Sequence, residues 1–95
     1  MAGYRPDIPP HVAEIIRHLP PEVKRGVKAA IRALSHDPAL GAPLQRELEG
    51  LSKYRVKRYR IVYALDQPRK IIRIIAVGHR RAIYEEMADF ARRRR

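Results

Sequence analysis

Cysteine is absent from this 95-residue chain, which removes disulfides and thiolate metal sites and suits a reducing, cytosolic setting. Tryptophan is also absent and phenylalanine occurs once, so a core must be built from Ile, Val, Leu and Ala with a few Tyr rings, and it will be thin. No apolar run approaches the roughly 18 residues of a membrane span, and the opening "MAGYRPDIPP" has no apolar signal core. A soluble, cytoplasmic protein without a membrane partner is expected. Carboxylates are scarce: 10 Asp and Glu stand against 21 Lys and Arg, for a formal net charge of +11. Self-repulsion at that level destabilises a compact state and a polyanion relieves it, so nucleic acid or an acidic protein is the expected class of partner. No Walker loop, zinc-ligand spacing or Ser-His-Asp arrangement occurs. Neither a cofactor nor a metal is expected.

What is present is ordered along the chain. The length makes a single domain, residues 1–95. Prolines crowd the first ten residues, so a strand over Tyr4 to Ile8 is a short edge strand. Val12, Ile15, Ile16 and Leu19 then recur at helical spacing up to Pro20. Pro21 and Glu22 form a good helix start, followed by the stripe Val23, Val27, Ala30, Ile31 and Leu34 with Lys24, Arg25, Lys28 and Arg32 facing outward. "SHDPALGAP" breaks the pattern, and "LQRELEGL" carries a helical turn before Gly50. From there the period changes to two. Tyr54 and Val56 alternate with cations, as do Tyr59, Ile61, Tyr63 and Leu65 with Arg60, Val62 and Ala64. "IIRIIAV" reads as a strand covered on both sides, and Arg81 to Phe90 as a helix before the terminal "RRRR". The sum is an α+β domain: an N-terminal helical hairpin packed on a mostly antiparallel twisted sheet, with a short C-terminal helix. Arg55 and Arg60 are expected on the sheet face away from the hairpin.

Three segments, "LQRELEGLSKYRV", "YRIVYAL" and "IIAVGHRRAIY", together with the upstream hairpin, resemble the RelE/ParE superfamily of bacterial and archaeal toxins over roughly residues 10 to 85. The resemblance implies a compact fold akin to small microbial ribonucleases and a cognate antitoxin as partner. It also implies one of two activities: the RelE branch cleaves messenger RNA in the ribosomal A site, whereas the ParE branch poisons DNA gyrase. Fold cannot choose between them; site residues can.

Metal-free RNA cleavage by internal transfer needs a deprotonated ribose 2′-oxygen, stabilisation of the charge growing on phosphate, and a proton for the leaving 5′-oxygen. Arginine suits the second task, since its fork of donors matches phosphoryl oxygens and stays charged. Arg60, in "YRIVY", resembles the family's phosphate-contacting arginine, and Arg80, in "VGHRR", would form the second arm of a clamp. His79 is a titratable group suited to proton transfer near neutrality. Tyr84 resembles the family's C-terminal tyrosine, which supports base stacking or proton transfer. Lys57 completes the catalytic candidates, although a tight hairpin would place it in the turn and off the reactive face. Lys53, Arg55, Arg58 and Arg81 are expected to bind RNA, and "RRRR" to grip ribosomal RNA or to be a solvated tail.

Three functions are compatible with these residues. The first is a ribosome-dependent mRNA endoribonuclease with ribosome, mRNA and antitoxin as partners. The alternatives are a ParE-like gyrase inhibitor without nuclease activity and a basic RNA-binding module held by phosphate contacts.

Overall fold

The structure is a computed structural model and describes residues 3–94; Arg95, the end of the "RRRR" tail, lies outside the described residues. The chain enters through β1 (Arg5–Asp7), whose brevity follows from the prolines around it. α1 (Pro10–Arg17) and α2 (Pro21–His36) both begin with proline, which sacrifices nothing at a position whose N–H has no intrahelical acceptor. α2 ends at Asp37, whose side chain accepts the Ala39 N–H and starts a single 3₁₀ turn over Pro38–Leu40. β2 (Ala42–Pro43), a second 3₁₀ turn over Arg46–Leu48, β3 (Leu51–Val56), β4 (Tyr59–Asp66), β5 (Ile71–His79) and α3 (Arg80–Arg94) complete the chain. Among the described residues no helix is long and apolar enough to cross a membrane.

The five strands form one sheet in the order β1-β5-β4-β3-β2, antiparallel except for the parallel β1–β5 pair. An ion pair of 2.9 Å between Arg73 and Asp7 spans that parallel pair. The expected α+β architecture is the one found, with helices on both faces of the sheet. On one face Val12, Ile16, Val27, Ile31 and Leu34 of the hairpin bury Ile61, Tyr63, Ile72, Ile74 and Val77. On the other, Ile83 and Met87 of α3 cover Leu51, Val62 and Ala76, with Leu44 and Leu48 packed beside them.

The two-sided reading of "IIRIIAV" is realised with a twist. Tyr63 pairs with Ile74 and Val62 with Ala76, so Ile75 is an extra residue, a β-bulge. Ile75 and Ala76 therefore both pack toward α3, and the side-chain alternation beyond them is inverted. Val77 consequently joins Ile72 and Ile74 on the hairpin face.

Tyr63 joins the sheet to the α2–β2 connection. Its fully buried ring carries a hydroxyl that donates to the Pro38 carbonyl at 2.6 Å. Gly41 is required beside it, because a Cβ there would lie 2.2 Å from that hydroxyl and 2.8 Å from the Lys53 carbonyl.

Candidate active site

Alternation along the central hairpin sets out the cations. Lys53 lies opposite Val62, and Arg55 opposite Arg60, all four projecting from the α3 face. Like charges directly opposed across a strand pair are destabilising. The ion pairs of Arg17 and His18 with Glu14, Arg69 with Asp66, Arg73 with Asp7 and Arg92 with Asp89 all lie outside this cluster.

Arg60 is held by the turn that precedes it. Its Nη1 donates to the Tyr59 carbonyl at 3.1 Å and to the Lys57 carbonyl at 3.5 Å, which leaves most of its donor fork for another acceptor. The turn has two residues, Lys57 and Arg58, with Lys57 in the left-handed region at φ +56°. The Arg58 carbonyl in turn accepts the Arg80 N–H at 2.9 Å. The first residue of α3 is thus tied to the turn that holds Arg60. Tyr84, one helical turn further on, projects on the same side as Arg80.

These contacts create a cleft of about 80 Å³ whose polar lining is Lys53, Arg60, Arg80 and Tyr84, over walls that include Leu44, Leu48, Val62 and Met87. Tyr84 is 72% exposed, unusual for a large ring. Among the described residues that line the cleft there is no carboxylate or imidazole. Among the described residues no group of three or more His, Asp or Glu could hold a metal ion. The arrangement can bind an anion at the arginines, present an ammonium and a phenol to it, and offer an apolar ring face to a base.

A sequence model described as ParE toxin of type II toxin-antitoxin system, parDE, matches residues 10–84. The chain belongs to the ParE toxin family. Toxin RelG of Mycobacterium tuberculosis is 37% identical to this toxin over 71 residues, 73% of this chain and 82% of the relative. In the crystal structure of the toxin-antitoxin complex RelBE2 from M. tuberculosis, the matching chain is 32% identical with a TM-score of 0.74. That match covers 84% of this toxin and 94% of that chain. Free E. coli RelE carrying two arginine-to-alanine substitutions shares the fold at 22% identity and TM-score 0.74, over 94% of this toxin and 97% of that chain.

Of the residues singled out in the sequence of this ParE-family toxin, Lys53, Arg60, Arg80 and Tyr84 meet in the cleft. Arg55 lines a shallow groove that continues from it. Lys57 and Arg58 occupy the exposed tight turn, and Arg81 is exposed on α3. His79 is not brought to the cleft. Paired with Tyr59, it meets that ring edge-on at 5.7 Å between centroids, on the hairpin side of the sheet. Its Nδ1 accepts the Arg81 N–H at 3.4 Å, a cap on the first turn of α3. The apolar walls from Leu44, Leu48 and Met87 were not anticipated; the spacing of Leu44, Leu48 and Leu51 in "LQRELEGL" was the available signal.

Burial pushes the Tyr63 phenol above its ordinary value of 10.0, and Asp37 acts in the same direction. Hydrogen bonding with the Gly41 backbone and Ser52 opposes the rise.

Proposed function

We propose that this protein is the toxin of a type II toxin-antitoxin pair and acts as a ribosome-dependent mRNA endoribonuclease in the cytoplasm. The carrying observation is the meeting of Arg60 and Arg80 with Lys53 and Tyr84 in one cleft. In this reading the two guanidiniums grip the non-bridging oxygens of the scissile phosphate and stabilise the charge that grows as the 2′-oxygen attacks phosphorus. Attack forms a 2′,3′-cyclic phosphate and breaks the bond to the 5′-oxygen. The Tyr84 phenol or the Lys53 ammonium delivers the proton that this leaving oxygen requires. The exposed Tyr84 ring receives an adjoining base. Cationic side chains do the electrostatic work, so the scheme needs no metal or cofactor. Lys57, Arg58 and Arg81 supply further phosphate contacts at the rim. His79 acts as a positioning residue through its cap on α3, which carries Arg80. The 2′-hydroxyl gives up its proton to a non-bridging phosphate oxygen or to solvent water, and ribosome-bound mRNA supplies the orientation for attack.

The antitoxin partner follows from the family. Its expected seat is a groove of about 290 Å³ on the hairpin, where Ile8, Ile16 and Ile31 form an apolar floor and Arg17, Lys24 and Lys28 a basic rim. An acidic amphipathic helix has complementary chemistry. Inhibition of DNA gyrase is the second reading, favoured by the ParE description of the matching family.

Translation in a purified extract with a defined messenger tests the two. Cuts within codons that need ribosomes and disappear with Arg60→Ala support the nuclease. Intact messenger together with blocked gyrase supercoiling, unaffected by Arg60→Ala, overturns it.

A further inference from the structure

The cleft does not end at Lys53 and Arg60. These two residues also line a shallow groove of about 320 Å³ that runs over the β3 edge to Arg55, Tyr54, Ala42 and Leu40. Leu40 and Tyr84 are two of the three exposed large apolar side chains among the described residues; Tyr84 lines the cleft and Leu40 the groove, and the two depressions share Lys53 and Arg60.

Leu40 is 48% exposed without being loosely held. It closes the 3₁₀ turn, its N–H donating to the Asp37 carbonyl at 3.1 Å, while Tyr63 anchors Pro38 from below. An exposed apolar side chain on a hydrogen-bonded turn, an exposed ring at Tyr84, and four cations in the linings between them match a chain that alternates flat apolar faces with negative charges. From β5 to β2 the trough crosses three strand spacings, on the order of 14 Å, more than one nucleotide needs. Arg55 opposite Arg60 is a repulsive pair in the free protein, and a phosphate between them would turn it into a bidentate site.

We infer that the bound RNA is a single strand several nucleotides long that crosses the sheet from Tyr84 to Leu40, with Leu40 seating a second base and Arg55 and Lys53 holding the intervening phosphates. The inference rests on the nuclease reading and adds to it a subsite at the far edge of the sheet. Leu40 and Arg55 set how many nucleotides are held, whereas Arg60 and Arg80 act at the phosphate that reacts.

The test is equilibrium binding of fluorescent 2′-O-methyl oligoadenylates, which cannot undergo internal transfer, from dinucleotide to octanucleotide length. Wild-type affinity is expected to rise with length beyond the dinucleotide. Leu40→Ser should weaken the longer oligomers by about five- to tenfold, the low end for loss of one base contact, and leave the dinucleotide unchanged. Arg55→Gln should reduce the log–log salt slope for the longer oligomers by about 0.7, one phosphate contact on a single strand. Affinity that stops rising at the dinucleotide, or Leu40→Ser binding every length as wild type does, overturns the proposal. Arg60→Gln separates the two readings: if it loses all lengths while Leu40→Ser is silent, the cleft stands and the trough falls. If Arg60→Gln binds every length like wild type, the nuclease reading falls with the trough.

Discussion

The two faces of the sheet are built from the same alternating strands and serve opposite ends. The hairpin face is closed: Leu34, Val27 and Val12 are fully buried against Ile61, Tyr63, Ile72 and Ile74. The α3 face is closed only over Leu51, Val62 and Ala76, and at the end where the β3–β4 turn lies it opens into a row of cations. Apolar burial stabilises the first face, whereas the open end of the second holds mutually repelling charges. On the proposed function, stability and activity are separable by face, and each substitution below tests that separation.

The largest loss of stability is expected from Leu34→Ala on the closed face. Removing a fully buried leucine costs about 2–5 kcal/mol, a large share of the roughly 5–15 kcal/mol that holds a domain together. Thermal unfolding should show a Tm lower by on the order of 10–40 °C. An unchanged Tm would mean that the hairpin contributes little to the fold.

Arg60→Ala should act in the reverse sense. On the proposed nuclease reading, loss of one transition-state donor is expected to lower turnover by about 100- to 1,000-fold, read as messenger cut per ribosome. The same change removes the Arg55–Arg60 opposition, so unfolding should give equal or slightly higher stability, by about 0.2–1 kcal/mol. A substantial fall in Tm would blur the division between the faces.

Tyr63→Phe probes the connection between them. Loss of the hydroxyl that satisfies the Pro38 carbonyl should cost about 1 kcal/mol in denaturant unfolding. The pH dependence adds a second signature. Because the folded phenol titrates above the unfolded value of 10.0, the folded protein keeps its proton longer than the unfolded chain. This contribution is present in full below pH 10.0 and lost as pH rises through the folded pKa. Tyr63→Phe should flatten that alkaline decline, and an unchanged pH profile would place the titration elsewhere.

The smallest effect belongs to Lys57→Gly. A non-glycine residue at φ +56° carries left-handed strain of about 1–2 kcal/mol, which glycine relieves while adding unfolded-state entropy. A net gain of about 0.5–1 kcal/mol is expected; on the nuclease reading cleavage persists with weaker RNA binding, because Lys57 lies at the rim and outside the cleft. Complete loss of cleavage with a stable fold would return Lys57 to the chemistry.

Much of this was legible in the chain. The stripes Val12/Ile16 and Val23/Val27/Leu34, bracketed by prolines, locate α1 and α2 to within a few residues. The period-two run from Tyr54 to Leu65 locates β3 and β4 and assigns Arg55 and Arg60 to one face. β2 was not legible, since two residues carry no period. The side occupied by His79 was not legible either. Strict alternation from Arg73 would have put His79 on the Arg60 face; the bulge at Ile75 rotates it to Tyr59 instead.

Periodicity, proline placement and charge are local properties, so the elements, their buried stripes, the cationic strand pair and the excess of positive charge can be read from the chain alone. Which cations share a cleft is a long-range matter. The Arg58 carbonyl had to catch the Arg80 N–H, one residue had to bulge out of β5, and the Pro38–Leu40 turn had to seat on Tyr63. Only the tertiary structure decided those, because each depends on a hydrogen bond or a register between segments far apart in the chain.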